Sequence, residues 1–470
     1  MKDQQQPEEM KRELGLLDAT MLVAGSMIGS GIFIVSADIV RQVGSAWWLL
    51  LVWLLTGTVT LFAAVSYGEL SAMFPKAGGQ YIYLRESYNR FVGFLYGWSF
   101  FTVIQTGTIA AVGIAFAKFA AYLFPAVSDQ HILFSIGSFH FNAAQLLAIV
   151  VIVLLTWVNS RGIRNGKIIQ TTLTTIKLLS LFGLIIAGFV SFRADVWQAN
   201  WSSVAPGRWL EGAASPVPIS GAMLFAGITA AMVGSLFSSD AWNNVTFIAG
   251  EIRNPTRNIG RSLLYGTLIV TVIYVLCNVM YIGTLPMNEI AHAPADRVAV
   301  SASQYIFGSG GALVIAIMIM ISTFGCNNGL ILSGARLYYS MAKDGLFFKS
   351  VSTLNKAEVP AKGLWVQCVW ASFLCLTGKY GDLLDYVVFV VLIFYILTII
   401  GIFILRRKRP DIPRSYRAIG YPVIPALYCL AAISICIGLI IYKTATCGWG
   451  LVIVLLGIPA YFIFQRLERN

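Results

Sequence analysis

In this 470-residue sequence, the residues whose types and spacing suit ligand binding lie in two polar interruptions within long apolar stretches. The first runs from Gly25 to Gly31 and contains three glycines and two serines. The second runs from Gly234 to Asn244 and contains Ser238 and Asp240. Glycine supports a helix poorly, and Ser and Asp compete for its backbone hydrogen bonds. Each interruption is therefore expected to break a helix.

A broken helix exposes backbone groups that can bind the charged groups of a ligand. The N-terminal end of a half-helix offers N–H groups to a carboxylate, and the C-terminal end of the preceding half-helix offers carbonyl oxygens to an ammonium group. At membrane depth such free groups are tolerated only where they line a cavity. A pair of broken helices in two halves of a chain points to a transporter site. These two breaks suit a zwitterionic α-amino acid.

Two of the ionisable residues inside apolar segments lie far from the predicted segment ends. Lys177 falls in the run from Thr171 to Leu181, ten residues beyond Lys167 at the nearest predicted inner edge. Ten helical residues span about 15 Å, so an internal role is favoured over the alternative that the side chain snorkels to that edge. Asp240 lies near the middle of its own segment, where a carboxylate is costly unless it has a partner. Both residues are therefore functional candidates.

The elements that position these residues are apolar helices. The chain is 57% apolar and only 11% charged, whereas a soluble domain carries about 25% charged residues. This composition excludes an ordinary soluble protein and predicts an all-α polytopic membrane protein. A membrane span needs roughly 20 apolar residues. The twelve predicted spans are 16–40, 47–74, 93–124, 142–159, 167–192, 221–249, 262–285, 305–339, 362–378, 382–405, 421–442 and 448–465.

The basic residues predict how the spans are oriented. With the N-terminus in the cytoplasm, 25 of the 33 Lys and Arg residues fall on the inner side, six fall outside and two lie within spans. Cytoplasmic loops are enriched in Lys and Arg, so we expect a multi-pass protein of the cell membrane with both termini on the cytoplasmic side. The net charge of +12 is spread over seven inner segments. That distribution suits anionic membrane lipids and argues against a nucleic-acid partner.

The sequence motifs do not support other classes of protein. The seven cysteines have neither zinc-ligand nor disulfide spacing and are interpreted as small apolar fillers. The sequence contains no HExxH and no GxSxG motif. We therefore expect no enzyme activity, no metal site and no cofactor. A non-transporting amino acid sensor stays as the alternative from another class, although the short termini leave no room for an output domain.

Three motifs resemble those of a known transporter family. The segment from Gly29 to Phe33 resembles the first-span signature of the amino acid–polyamine–organocation superfamily. Residues Pro75 to Leu84 resemble the motif of its loop between spans two and three. Residues Phe237 to Asn243, followed by Glu251 to Ile259, resemble its sixth span and the next loop. Within the superfamily, the sequence is most similar to the L-type amino acid transporter branch.

The resemblance implies a fold and a domain organisation. It implies a five-plus-five inverted repeat with discontinuous helices 1 and 6, followed by two further helices, which works by alternating access. The expected divisions are a cytoplasmic N-terminus (1–14), a first repeat of spans one to five (15–192), an extracellular loop (193–220), a second repeat of spans six to ten (221–405), a basic cytoplasmic loop (406–420), and the last two spans with the C-terminus (421–470).

The resemblance also implies roles for individual residues at matching motif positions. The implied substrate-binding residues are Met27, Ser30 and Gly31 on the carboxylate side, the backbone of Phe237, Ser238 and Asp240 on the ammonium side, and Asn243 below them. Phe237 would also be an aromatic gate. Glu69, about one turn before Pro75, is expected to serve the inner gate or to pair with an Arg of the cytoplasmic loops.

Some positions depart from the family pattern. Gly250 and Gly260 stand where family members usually carry an acid and a proline. Position 240 is often Gly in transporters of large neutral substrates, and it is Asp in branches that also accept cationic ones. The size and charge of the substrate therefore stay open.

The expected coupling mode, independent of sodium, rests on Lys177. The resemblance places a lysine here in sodium-independent members, where related sodium-coupled folds hold a cation. Its ammonium would stand in for sodium and bridge the first break to span eight, with Ser322 or Thr323 near the same carbonyl groups. The implied function is a sodium-independent exchanger of L-amino acids. A proton-coupled symporter of amino acids or amines is the alternative.

The expected partners are an amino acid substrate and membrane lipids. Animal members of the branch attach to a single-span glycoprotein through a Cys in the loop between spans three and four. Residues 125–141 contain no Cys, so no disulfide-linked heavy subunit is expected. With the short termini, this favours a prokaryotic protein.

Overall fold

The computed structural model describes residues 12–137, 139–210, 215–377 and 380–469, so most of the predicted N-terminal segment lies outside the described residues. In chain order the helices are α1 (Leu16–Met27), α2 (Gly31–Val43), α3 (Ala46–Met73), α4 (Gln80–Ser87), α5 (Arg90–Ser99), α6 (Gln105–Leu123), α7 (Ala143–Ser160), α8 (Ile163–Val190), α9 (Ala194–Trp201), α10 (Gly221–Ser238), α11 (Asn244–Phe247), α12 (Pro255–Thr284), α13 (Met287–Ala291), α14 (Val298–Lys343), α15 (Ala361–Thr377), α16 (Tyr380–Lys408), α17 (Val423–Tyr442) and α18 (Thr444–Arg469). The strands are β1 (Ile132–Ile136), β2 (Phe139–Asn142), β3 (Gly207–Arg208) and β4 (Val217–Pro218).

The long helices are those of a polytopic membrane protein. Within the described residues, ten helical segments are long and apolar enough to cross a membrane. The pair α1 and α2 forms an eleventh candidate that is bent by 43° at its break, and α15 adds a shorter apolar helix. Helices α12 and α14 begin before the predicted spans, at Pro255 and Val298. Polar residues at 256–258 extend α12 beyond its apolar part, whereas α14 has a kink at Gly308, with φ +74°, that separates its first residues from the long apolar segment.

Two short hairpins lie between the helices of this mostly helical chain. Strands β1 and β2 pair antiparallel between α6 and α7, with Phe134 opposite Phe141 and Ser135 opposite His140. Strands β3 and β4 pair in the segment between α9 and α10. Both hairpins lie in segments that were expected to be plain loops, because each strand is too short to give a clear alternating pattern.

The broken helices lie at the centre of the bundle. Helix α1 packs against α8, α12 and α14, while α10 packs against α2, α3 and α16. The pairs α3–α12 and α6–α14 pack along each other and flank the broken helices. Outer helices expose large apolar side chains, such as Val190 on α8 and Ile463 on α18. Such surfaces suit contact with lipid.

Both predicted interruptions fall at helix ends. Helix α1 ends at Met27 and α2 begins at Gly31, and the intervening Ile28 is extended, with φ −75° and ψ 91°. Helix α10 ends at Ser238, and the chain then turns through Ala241, whose φ is +63°. The short helix α11 follows at Asn244–Phe247. The backbone therefore leaves helical geometry at two places deep in the chain's apolar segments.

Candidate substrate site at two helix breaks

The two breaks are in direct contact through Gly31 and Ser238. A Cβ atom added to Gly31 would lie 1.8 Å from Oγ of Ser238 and 3.0 Å from its Cα atom. No side chain fits at such a distance, so glycine is required where the first turn of α2 meets the end of α10. Both residues are among the predicted substrate-binding residues, and the fold brings them together.

Lys177 reaches the first break from α8. Its Nζ atom donates to the carbonyl oxygens of Gly25 and Ile28 at 2.5 and 2.8 Å, and the residue is 1% exposed. The hydroxyl of Ser322 on α14 lies 3.3 Å from the same carbonyl oxygen of Ile28. Of the two span-eight candidates, Ser322 lies at these carbonyls, whereas the hydroxyl of Thr323 bonds within its own helix. Lys177 thus supplies hydrogen-bond donors to carbonyl groups that the end of α1 leaves without helical partners.

Tyr274 on α12 joins the two breaks. Its hydroxyl lies 3.0 Å from the carbonyl oxygen of Met27 and 2.9 Å from that of Ser238. A phenol has one proton, so it donates to one of these oxygens at a time. Its ring packs edge-on against Trp53 at 5.1 Å. Sequence reasoning missed this residue, because a tyrosine in an apolar helix gives no signal of its partner.

Cys326 also belongs to the first break. Its Sγ atom lies 3.1 Å from the carbonyl oxygen of Ser26. The interpretation of all cysteines as apolar fillers is therefore incomplete for this one, since a thiol is also a weak hydrogen-bond donor. Among the described residues, no group of three or more His, Cys, Asp and Glu side chains is placed to hold a metal ion.

Asp240 at the second break has a hydroxyl partner. The hydroxyl of Tyr395 on α16 donates to Oδ1 of Asp240 at 2.6 Å. The ring of Tyr395 packs against Trp242 and Tyr67 at 5.2 and 5.8 Å. In the described part of the chain, Asp240 forms no ion pair with a Lys or Arg. The carboxylate is therefore held by a neutral donor.

Two small cavities meet at Asp240 and Tyr395, with volumes of about 20 and 10 Å³. Each has room for about one water molecule. The larger is mainly apolar and is lined by Val59, Thr60, Ala63, Leu236, Ser239, Asp240, Trp242, Val388, Val391, Leu392, Tyr395 and Tyr428. The smaller has a larger share of polar groups and is lined by Gln80, Tyr96, Phe100, Ile104, Gln105, Thr108, Asp240, Ala241, Asn243, Asn244, Leu330, Val391 and Tyr395.

The remaining substrate candidates lie at the same breaks. Met27 and Ser30 are 3% and 1% exposed and flank the interruption between α1 and α2. Phe237 is buried in the last turn of α10. The side chain of Asn243 lines the smaller cavity and donates to Oε1 of Gln80 at 3.1 Å. All seven predicted substrate residues thus lie at one or the other of the two breaks, which are in contact through Gly31 and Ser238.

Glu69 lies elsewhere, at the end of α3. Its carboxylate is fully buried and accepts two hydrogen bonds from Arg406, at 2.9 and 2.7 Å. Arg414 lies 3.2 Å away, and the backbone N–H of Ala418 donates at 2.8 Å. Glu69 thus pairs with arginines of the basic segment after α16, one of the two roles expected for it.

Further ion pairs lie at the same end of the bundle. Arg336 on α14 donates to Glu251 at 3.0 Å, and both side chains are almost fully buried. Arg85 pairs with Asp344, which also accepts a hydrogen bond from Tyr81 at 2.6 Å. We name Glu69–Arg406, Glu251–Arg336 and Arg85–Asp344 the ion-pair end. Their spacing in the sequence does not predict that these charges meet.

The opposite end of the bundle is open. A cavity of about 1370 Å³, which we name the vestibule, extends inward to Val35 and Gly234. Each of these residues lies four positions, or about one helical turn, from the contact between Gly31 and Ser238. The charged residues that line the vestibule are Asp38, Arg41, Lys118, Asp129, Asp296, Arg297, Asp385 and Lys443. The site is therefore approached from one end and closed from the other.

Comparisons with known proteins agree with this architecture. The large neutral amino acids transporter small subunit 2 of Homo sapiens is 29% identical over 456 residues, which cover 97% of this chain and 80% of that protein. The serine/threonine exchanger SteT of Bacillus subtilis (strain 168) is 29% identical over 464 residues, 98% of each chain. The Asc-type amino acid transporter 1 of Mus musculus is 29% identical over 458 residues, 97% of this chain and 81% of that protein. The sequence profile of the amino acid permease family matches residues 14–463, so this chain belongs to that family, within the amino acid–polyamine–organocation superfamily.

Proposed function

We propose that this chain is a sodium-independent exchanger of L-amino acids that works by alternating access across the cell membrane. The observation that carries the proposal is the contact of two helix breaks, with the ammonium group of Lys177 bound to the carbonyl oxygens of the first. Relatives named as a serine/threonine exchanger and as amino acid transporters support the substrate class.

Backbone groups of both breaks bind the zwitterion in this proposal. The first N–H groups of α2, which begins at Gly31, have no partners within their helix, and with Ser30 and Met27 they bind the carboxylate. The last carbonyl groups of α10, at Phe237 and Ser238, attract the ammonium group together with the backbone of Asp240. Phe237 closes over the substrate, and Asn243 lines the space below it.

Lys177 replaces a sodium ion in the proposed mechanism. A bound sodium ion would be held by oxygen atoms, and the oxygen atoms here are the carbonyls of Gly25 and Ile28 with the hydroxyl of Ser322. A tethered ammonium supplies the same charge without a dissociable ion. Transport then needs no sodium gradient, and the first break keeps its geometry through the cycle.

We infer a twelve-span fold with an inverted repeat, divided as 15–192 and 221–405, from the pattern of helix contacts. In the first half the broken helix α1 packs on α8, and in the second half the broken helix α10 packs on α16. Each break is also held by a side chain from that partner helix, Lys177 on α8 and Tyr395 on α16. This correspondence between the two halves supports the proposed repeat.

The proposed orientation places both termini and the 406–420 segment in the cytoplasm, with residues 193–220 outside. It rests on the excess of Lys and Arg on one side. The vestibule is then extracellular and the ion-pair end is cytoplasmic, so the described conformation is open to the outside.

Residues 125–141 contain no Cys, so we propose that the protein works without a disulfide-linked subunit.

Alternating access then requires the two ends to open in turn. The ion pairs of Glu69, Glu251 and Asp344 keep the cytoplasmic end closed while the vestibule is open. Inward opening must separate these pairs, and the vestibule must close over the breaks. Glu69 is an inner-gate residue in this scheme.

Uptake of labelled amino acid into proteoliposomes tests the function. We expect uptake that does not change when sodium is replaced by choline, and that rises when the vesicles are preloaded with unlabelled amino acid. Uptake by unloaded vesicles that depends on a proton gradient would replace the exchanger with the proton-coupled symporter. Binding without any uptake would favour a sensor. Competition by a panel of the twenty amino acids then defines which substrate side chains the cavities at Asp240 accept.

A further inference from the structure

Arg297 presents an unpaired guanidinium group to the vestibule. It precedes the first residue of α14, its side chain is half-buried, and it lines the cavity. One Nη atom donates to the backbone carbonyl of Lys118 at 2.8 Å, and the guanidinium lies 5.6 Å from the ring centre of Tyr122. A guanidinium has five N–H donors. Among the described residues, no carboxylate forms an ion pair with Arg297, so most of these donors are available.

The neighbouring carboxylate is already shared by two other cations. Asp296 binds Arg41 at 2.9 Å and Lys118 at 3.4 Å. Arg41 also donates to the carbonyl oxygen of Ala291 at 2.7 Å. Asp38 also lies 3.7 Å from Arg41. Both carboxylates are therefore engaged by Arg41 and Lys118, and among the described residues Arg297 is the cation of this group without an ion pair. A guanidinium group without a carboxylate partner attracts a carboxylate ligand.

Asp129 provides the opposite charge in the same cavity. It lines the vestibule, and its carboxylate accepts a long hydrogen bond of 3.4 Å from the side chain of Gln130. Among the described residues it forms no ion pair. Burial lowers the pKa of Arg297, whereas Tyr122 and the carboxylate of Asp129 act in the opposite direction. Arg297 and Asp129 thus line one cavity as a cation and an anion, each without an ion pair among the described residues.

We propose that Arg297 and Asp129 form a docking site in the vestibule, where a zwitterionic amino acid binds before it reaches the helix breaks. The Arg297 guanidinium binds the substrate carboxylate, and the Asp129 carboxylate binds the substrate ammonium group. This inference rests on the proposed function, because the docked ligand is the transported amino acid.

The docking site is separate from the site at the breaks. Arg41 lies ten residues after Gly31 on the same helix, which places it about 15 Å along the axis. Arg297 shares the wall of Arg41 and Lys118, through Asp296 and the Lys118 backbone. The charged groups of an α-amino acid lie on neighbouring atoms and cannot reach both places at once. The substrate therefore binds at two successive positions, and docking raises its local concentration above the breaks.

The test measures transport from the vestibule face in intact cells and from the opposite face in inside-out vesicles. We expect Arg297→Gln and Asp129→Asn to raise KM from the vestibule face by about tenfold with the maximal rate retained, because electrostatic capture acts on association. KM from the opposite face should not change. The matched control Arg208→Gln removes an exposed arginine that does not line the vestibule and should leave both values at the wild-type level.

Two further measurements separate docking from a structural role. Arg297→Lys retains the charge and should keep most of the wild-type KM, and added salt should raise KM for the wild type but not for Arg297→Gln. A Lys variant as impaired as the Gln variant, an equal loss from both faces, or an unchanged KM in Arg297→Gln would each overturn the docking site. Wild-type protein without any amino acid transport would instead overturn the proposed function.

Discussion

The ammonium group of Lys177 donates a hydrogen bond to the carbonyl oxygen of Gly25, 2.5 Å away, across the contact between α8 and α1. The same nitrogen binds the carbonyl oxygen of Ile28 at 2.8 Å. One side chain thus holds both edges of the first break, and the cation is buried with carbonyl groups as its partners. The geometry of the proposed substrate site depends on this tether.

Replacing Lys177 should abolish most transport. Lys177→Ala removes a charged hydrogen-bond donor from two buried carbonyl groups, and such bonds contribute about 1.5–3 kcal/mol each. We expect initial rates to fall by more than about tenfold while expression stays measurable. Lys177→Met, which keeps the length of the side chain, should be equally impaired. Uptake per unit of purified protein measures both variants.

The control for this prediction is Lys349→Ala, which removes an exposed lysine far from the breaks. It should transport as the wild type does. Normal uptake by Lys177→Ala would remove this residue from the mechanism.

Tyr274→Phe should slow transport without unfolding the protein. The change deletes only the hydroxyl that lies within 3.0 Å of both Met27 and Ser238, and the ring keeps its contact with Trp53. A buried carbonyl that loses its donor costs about 1–3 kcal/mol, so we expect the rate to fall by about tenfold. Tyr265→Phe on the exposed face of the same helix is the control. Equal activity of the two variants would contradict the bridging role.

Asp240 and Tyr395 should behave as one unit in a double-mutant cycle. The two side chains share a hydrogen bond of 2.6 Å, and contacting residues show interaction energies of about 0.5–3 kcal/mol. Asp240→Asn and Tyr395→Phe should each change substrate affinity, and the double variant should lose less than the sum of the two. Inhibition constants for a panel of amino acids measure the coupling. Strictly additive effects would argue against a shared role.

Glu69→Gln should destabilise the ion-pair end. The change leaves Arg406 and Arg414 without their carboxylate, and breaking a buried ion pair costs about 3–5 kcal/mol. The partial exposure of Arg406 favours the lower end of this range. We expect a lower melting temperature in detergent and faster labelling of cysteines introduced at this end.

Glu86→Gln is the comparison for Glu69→Gln. Glu86 pairs with Arg85 and Arg409 through side chains that are partly exposed, and such pairs contribute about 0–1 kcal/mol. A similar shift in melting temperature for the two variants would show that Glu69 has no special role in closure.

The sequence predicted the helices and the breaks well, for physical reasons. The glycines and serines of Gly25–Gly31 and the polar run around Asp240 weaken a helix through local effects, which a sequence displays directly. Lys177 was identified because a charge inside an apolar segment needs a partner. These features depend on residue type and on the nearby chain alone.

Partners that come from distant parts of the chain were not predictable in the same way. Tyr274 and Tyr395 lie in ordinary apolar helices, and their role follows only from which carbonyl or carboxylate the packed bundle brings near them. Arg336 likewise gave no sign that it would be fully buried against Glu251. The division into two repeats stays a proposal.

The contact between Gly31 and Ser238 has a mechanical consequence. An amino acid is several times larger than the single water molecule that each neighbouring cavity admits. In the proposed mechanism the substrate therefore has to drive α2 and α10 apart, and the ligand's own binding does the work of separating them. A molecule that binds only one break would leave the other helix in place, so we infer that movement requires a complete zwitterion.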